Sequence, residues 1–240
     1  MQLVDHAFIL LLFVLQPIHG AFEARYYIAR AEAGQPAERV RFYRQTALVE
    51  WIILVLLVAA WYDFDRPIAD LGFVMPGGPG FWSGVAFCIA VTAYLFYSWR
   101  RAKKASVVEK ATYADSFGNL VNFLPHTRRE LHNYYAVSLT AGIVEEVIYR
   151  GFVIWYLGQY MPLWGAVAVS SVAFGLAHSY QGANGAVRVS LVGLAFGALY
   201  VVSGSIWLPI IAHALLDVLQ GAAIHEILRK DDHHLAVKAA

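Results

Sequence analysis

In the stretch AGIVEEVIYRGF (141–152) two adjacent glutamates and an arginine interrupt an apolar run. Two later segments repeat the pattern: FGLAH (174–178) ends on a histidine, and HALLD (213–217) sets a histidine and an aspartate four residues apart. Carboxylates and imidazoles move protons near neutral pH. Gathered with a guanidinium, they can activate a water and stabilise a developing negative charge. At roughly 100° per residue of helix, Glu146 and Arg150 fall about 40° apart with the acid nearer the N-terminus, the favourable order for an ion pair. Glu145 lies about 140° from Arg150 and shares its face with Tyr149 one turn later, so it is the carboxylate free for general base and general acid work. Phe174 and His178 share a face, as do His213 and Asp217, where the carboxylate can orient the imidazole or hold it charged. The plainer reading is structural: membrane histidines link helices by hydrogen bonds, and a Glu-Arg pair is packing glue, which is how Glu146 and Arg150 are mainly read. The gathering of all these groups in three segments of one half of the chain weighs toward function.

The elements that must position them follow from composition. Of the 240 residues 59% are hydrophobic and 15% charged, and mean hydropathy is +0.53, which predicts an all-α polytopic membrane bundle. Windows near the length needed to cross a bilayer lie at about 6–22, 46–62, 81–99, 133–157, 163–180, 186–203 and 206–226, seven transmembrane helices. Of the 18 Lys and Arg, all but Arg66 and Arg150 fall in the first, third and fifth loops and the C-terminal tail. This bias predicts an outside N-terminus and a cytoplasmic C-terminus. The first span lacks a positive leader and carries Asp5 and His6, so a retained anchor is expected rather than a cleaved signal peptide. The arginine-rich segment 25–44 reads equally as a surface helix or a solvated loop, and 101–131 as the longest polar connection. Glu50 is placed at a span entrance, within reach of water. A lone cysteine, Cys88, excludes an internal disulfide and any multi-cysteine metal site. The scattered basic residues form no stripe for nucleic acid. DDHH (231–234) reads as a solvated tail.

The three motifs EEVIYR (145–150), FGLAH and HALLD, in order and each in a different span, resemble the EExxxR, FxxxH and HxxxN/D motifs of the CAAX protease and bacteriocin-processing (CPBP, Abi) family. These are intramembrane proteases related to the type II CAAX prenyl endopeptidase. The likeness covers roughly 120–220, including LPHTRRELHNYY (124–135), with a fainter echo in PIADLGF (67–73). It implies one membrane domain over 1–240 with N-terminal spans to about 115 and a protease core at 120–226. Glu145 and His178 would activate a water, His213 and Asp217 would bind the oxyanion, and Glu146, Arg150, Tyr149 and Phe174 would support them. The CAAX endopeptidases have asparagine where this chain has Asp217. A carboxylate cannot donate to an oxyanion, so Asp217 is expected instead to hold His213 as an imidazolium donor. No HExxH is present, and a metal-free mechanism is favoured over zinc held by Glu145, His178 and His213. The expected partners are membrane lipid and a protein or peptide substrate, and the expected location is a bacterial cytoplasmic membrane with the site open to the cytoplasm. Two other classes remain: a proton-coupled carrier, against which no inverted repeat is visible, and a non-catalytic scaffold in which GLAFG (193–197) serves helix association.

Overall fold

Ser106 and Thr127 each open a helix with a reciprocal capping box. Thr127 Oγ1 accepts the Glu130 amide at 3.2 Å, and the Glu130 carboxylate accepts the Thr127 amide at 2.9 Å. The Ser106 and Glu109 pair does the same at 3.3 and 2.8 Å. Each box satisfies N–H groups that a helix start leaves without partners. In the computed structural model, described over residues 1–33 and 38–229, no strand occurs among the described residues. The helices are α1 (Leu3–Leu10), α2 (Gln16–Glu32), α3 (Arg39–Asp63), α4 (Pro79–Lys104), α5 (Val107–Ser116), α6 (Arg128–Glu146), α7 (Ile154–Leu157), α8 (Leu163–Ala177), α9 (Ala183–Ser203) and α10 (Trp207–Leu228). A π-helical stretch, Leu11–Leu15, joins α1 to α2, and another, Val147–Val153, joins α6 to α7.

Every expected span falls on helix, but not all of them match a membrane span in length and composition. Five are long and apolar enough to cross a bilayer: Leu3–Arg30, Arg39–Asp63, Pro79–Lys104, Ala183–Ser203 and Trp207–Leu228. α8 has 15 residues, about 22 Å at the helical rise, shorter than the expected 163–180. The segment running from Arg128 to Leu157 is helical throughout, and the charges in its second half, Glu145, Glu146 and Arg150, are buried. Residues 25–32 continue the first helix, and Arg39 already stands on the next one, so of the two readings of 25–44 helix holds for most of it. The 101–131 connection contains α5 and a 3₁₀ stretch, Gly118–Phe123. DDHH lies outside the described residues.

α6 is the hub, packed against α3 on one side and α10 on another, while α8 pairs with α9 and α10 also packs on α4. α3 shows the membrane logic of the bundle: Leu48, Val49, Ile52, Val55 and Leu56 are exposed, whereas Tyr43, Glu50, Leu54, Leu57 and Trp61 form the buried seam. A helix in lipid has no reason to hide its apolar face, so polar groups turn inward. Gly142 lets α6 and α10 meet closely; a Cβ there would stand 2.7 Å from Ala214 Cβ and 2.8 Å from its amide nitrogen.

The first helix is fastened at one end by a buried ion pair. Asp5, 2% exposed, accepts two hydrogen bonds from Arg66 at 2.7 and 2.8 Å. The guanidinium also lies against Trp61, Phe64 and Trp155 at 5.1, 5.1 and 4.8 Å. Replacing Arg66 with alanine strands the Asp5 carboxylate, at about 3 kcal/mol. We expect a melting temperature in detergent lowered by roughly 10 °C; an unchanged transition would show the pair to be dispensable.

Candidate active site

Where α6 passes into the π-helical stretch, Glu145 and Glu146 are buried, Glu146 fully so. Arg150 donates from Nη1 to Glu146 Oε1 at 2.7 Å and from Nη2 to the Gly193 carbonyl at 3.2 Å. Its guanidinium is flanked by the rings of Phe174 at 4.4 Å and Phe196 at 5.5 Å. The wider turn of a π-helix, a feature frequent at functional sites, therefore begins at the base of the ion pair. Gly193 belongs to GLAFG, whose glycines seat α9 on α8: a Cβ at Gly197 would meet Val167 at 2.7 Å.

His213, from α10, has its Nδ1 2.7 Å from the same Glu146 oxygen that holds Arg150. A carboxylate only accepts, so Nδ1 carries the proton in this bond. Nε2 then faces Glu145 Oε2 at 3.8 Å and Asp217 Oδ2 at 3.6 Å. Of the two roles expected for Asp217, orienting the imidazole or holding it charged, its distance fits the second. Glu146 makes the hydrogen bond, and Asp217 stands beyond hydrogen-bond length on the other ring nitrogen. The four-residue spacing brings Asp217 to the right face, but Glu146 reaches the nitrogen along the shorter line across the α6–α10 contact.

His178 follows the last residue of α8, and its Nδ1 lies 2.9 Å from the Phe174 carbonyl. That oxygen lies in the last turn of α8 and can only accept, which fixes the proton on Nδ1 and leaves the Nε2 lone pair toward Glu145 Oε1 at 3.8 Å. α8 does not run on past the expected boundary; it stops at Ala177. The His178 side chain is 17% exposed, against 10% for Glu145 and 6% for His213. Phe174 backs the centre, with its ring 4.7 Å from His178, 6.0 Å from His213 and 5.1 Å from Tyr149. Tyr149 sends its hydroxyl to Gln16 Oε1 at 3.2 Å, and Ser170 Oγ donates to its carbonyl at 2.8 Å. It thus ties the site helix to α2 and α8.

Two residues escape a motif-based reading. Phe196, inside GLAFG, stacks on His213 at 5.2 Å and covers Arg150. Glu50 is not at a water-accessible entrance: α3 begins at Arg39, which puts Glu50 about 16 Å along the helix, and it is only 9% exposed. Its Oε2 has no hydrogen-bond partner, and Glu145, His213 and Asp217 lie within electrostatic reach of it. The signal for Glu50 was its place in the seam Tyr43, Glu50, Leu54, Leu57, Trp61, where an acid interrupts a buried face. At the outer end of α6, burial pushes the Glu130 carboxyl up, but amide hydrogen bonds from His126 and Thr127 and the nearby Arg39 outweigh it and hold Glu130 below the usual range. Among the described residues no group of three His, Cys, Asp or Glu side chains is drawn together closely enough to hold a metal ion.

Residues 127–219 match the family model described as type II CAAX prenyl endopeptidase Rce1-like. The match begins at the cap of α6 and takes in Glu145, Glu146, Tyr149, Arg150, Phe174, His178, His213 and Asp217; Glu50 lies outside it. Comparison with curated proteins and with solved structures found no match. Residues 127–219, which bring three carboxylates, two imidazoles and a guanidinium together inside apolar helices, thus resemble the type II CAAX prenyl endopeptidases over about two fifths of this integral membrane protein.

Proposed function

We propose that the protein is an intramembrane endopeptidase that hydrolyses a peptide bond of a membrane-associated or lipidated protein or peptide. Glu145 and His178 activate the water. The observation that carries this reading is the Glu145 carboxylate, one oxygen 3.8 Å from His178 Nε2 and the other 3.8 Å from His213 Nε2. These separations are too long for direct hydrogen bonds, yet one water oxygen at ordinary hydrogen-bond distance can reach all three groups.

The residues divide the work by the atoms they leave free. Glu145 takes one proton from the water, whose other hydrogen is held by the His178 Nε2 lone pair, and the oxygen attacks the substrate carbonyl carbon. The resulting oxyanion accepts from Nε2–H of His213, an imidazolium balanced by Glu146 and Asp217. Glu145 then returns its proton to the amide nitrogen as the C–N bond breaks, leaving an acid and an amine. No covalent enzyme intermediate is needed, and no metal is used. The site opens to the cytoplasmic side, the side assigned by the Lys and Arg bias.

Terminal-peptide mapping of membrane proteomes from cells with the natural protein and with Glu145→Gln tests the activity. New termini that vanish with the variant support it, and identical termini in both overturn it, as a carrier would give. Incubating the purified protein with a chelator should leave its rate unchanged, and a loss restored by zinc would replace the metal-free mechanism. Because Asp217 makes no hydrogen bond to His213, Asp217→Asn should stay within about threefold of the original rate, far less than removal of a general base costs. A loss of a hundredfold would instead make the Asp217 charge essential.

A further inference from the structure

The proposed mechanism uses Glu145, His178 and His213, with Glu146, Arg150 and Asp217 around them, and leaves the buried acid Glu50 unemployed. Glu50 comes from α3, outside the segment matched by the family model. It sits in the seam that packs on α6, where Trp51 Nε1 donates to Thr140 Oγ1 at 3.1 Å and locks the two helices side by side. Its side chain is more than nine-tenths buried and its Oε2 is unpartnered.

Counting the charges explains why, among the described residues, its Oε2 goes without a partner. Four carboxylates, Glu50, Glu145, Glu146 and Asp217, face one permanent cation. Both of that cation's terminal nitrogens are taken, Nη1 by Glu146 and Nη2 by the Gly193 carbonyl. His213 stands between Glu146 and Asp217, and His178 is committed through Nδ1 to the Phe174 carbonyl. A buried acid with an unpartnered oxygen is costly as a carboxylate unless it holds its proton or an incoming group completes it. The group that completes a carboxylate best is a cation with N–H donors.

We propose that Glu50 is a specificity residue that receives a Lys or Arg side chain of the substrate next to the bond that is cut. This deepens the endopeptidase reading and rests on it. α3 then supplies the selecting charge, while the matched helices supply the chemistry.

The test uses the full chain in lipid nanodiscs and a proteome-derived peptide library, with cut sites read by mass spectrometry. Lys and Arg should be enriched at least about fivefold within two residues of the cut bond, and the enrichment should disappear with Glu50→Gln and persist in part with Glu50→Asp. An unenriched profile from the natural protein, or one that Glu50→Gln leaves unchanged, overturns the proposal while leaving the protease reading intact. Binding is measured separately, with a lysine peptide and its norleucine counterpart that differ in nothing else. A preference of about tenfold for lysine that Glu50→Gln removes supports the assignment, and equal binding by the natural protein overturns it. If neither natural protein nor variant cuts the library, the protease reading fails, and binding alone decides the role of Glu50.

Discussion

Glu145→Gln should lower peptide cleavage by about a thousandfold or more while the protein still accumulates in the membrane. Glutamine keeps the size and the accepting oxygen of the side chain but cannot take a proton from water or return one to the amide, and general acid-base catalysis is worth 10²–10⁴-fold. Two features make the effect large here. Glu145 stands between the Nε2 atoms of His178 and His213, and among the described residues no other carboxylate is equally placed to serve both. The Glu146 oxygen nearest the site is already shared by Arg150 and His213. The measurement is the turnover of a substrate found by terminal-peptide mapping, with equal protein confirmed in the membrane fraction. A variant retaining more than a tenth of the rate would remove Glu145 from the role of base.

Glu146→Ala should instead act first on the fold. It leaves the Arg150 guanidinium, 1% exposed, without its counter-charge, and breaking a buried pair in this way costs about 3–5 kcal/mol. That is a large share of the stability of a domain this size, and loss of accumulation or a sharply lowered melting temperature is expected. A paired change separates the fold from the chemistry. Glu146→Leu with Arg150→Met removes both charges together, and such replacements of buried pairs are often neutral or stabilising. The double variant should therefore recover the melting temperature but not the activity, because His213 has lost the acceptor of its Nδ1–H. Recovery of both would show that Glu146 serves only the arginine.

These two variants also separate what could be read locally from what could not. The pairing of Glu146 with Arg150, and the turning of Glu145 away from it, follow from helix geometry over four residues, and the 2.7 Å bond has that spacing. The all-helical fold follows from long apolar runs that lipid permits only as helix or closed barrel. The exact lengths were less legible: α8 stops at Ala177 because its last turn closes on His178, and the first helix runs on to Glu32 through residues whose polarity resembles a loop.

Composition and helical period alone placed three acids, an arginine and two histidines in apolar helices and showed which of the paired glutamates turns toward the arginine. Only the tertiary structure decided that Glu146, 67 residues from His213, and not Asp217, four residues away, takes its Nδ1–H. It likewise decided that Glu50 is buried beside the site. Both outcomes depend on which helix packs on which, and that is set by close approach at positions such as Gly142 and by buried seams such as that of α3, not by the spacing of residues along one helix.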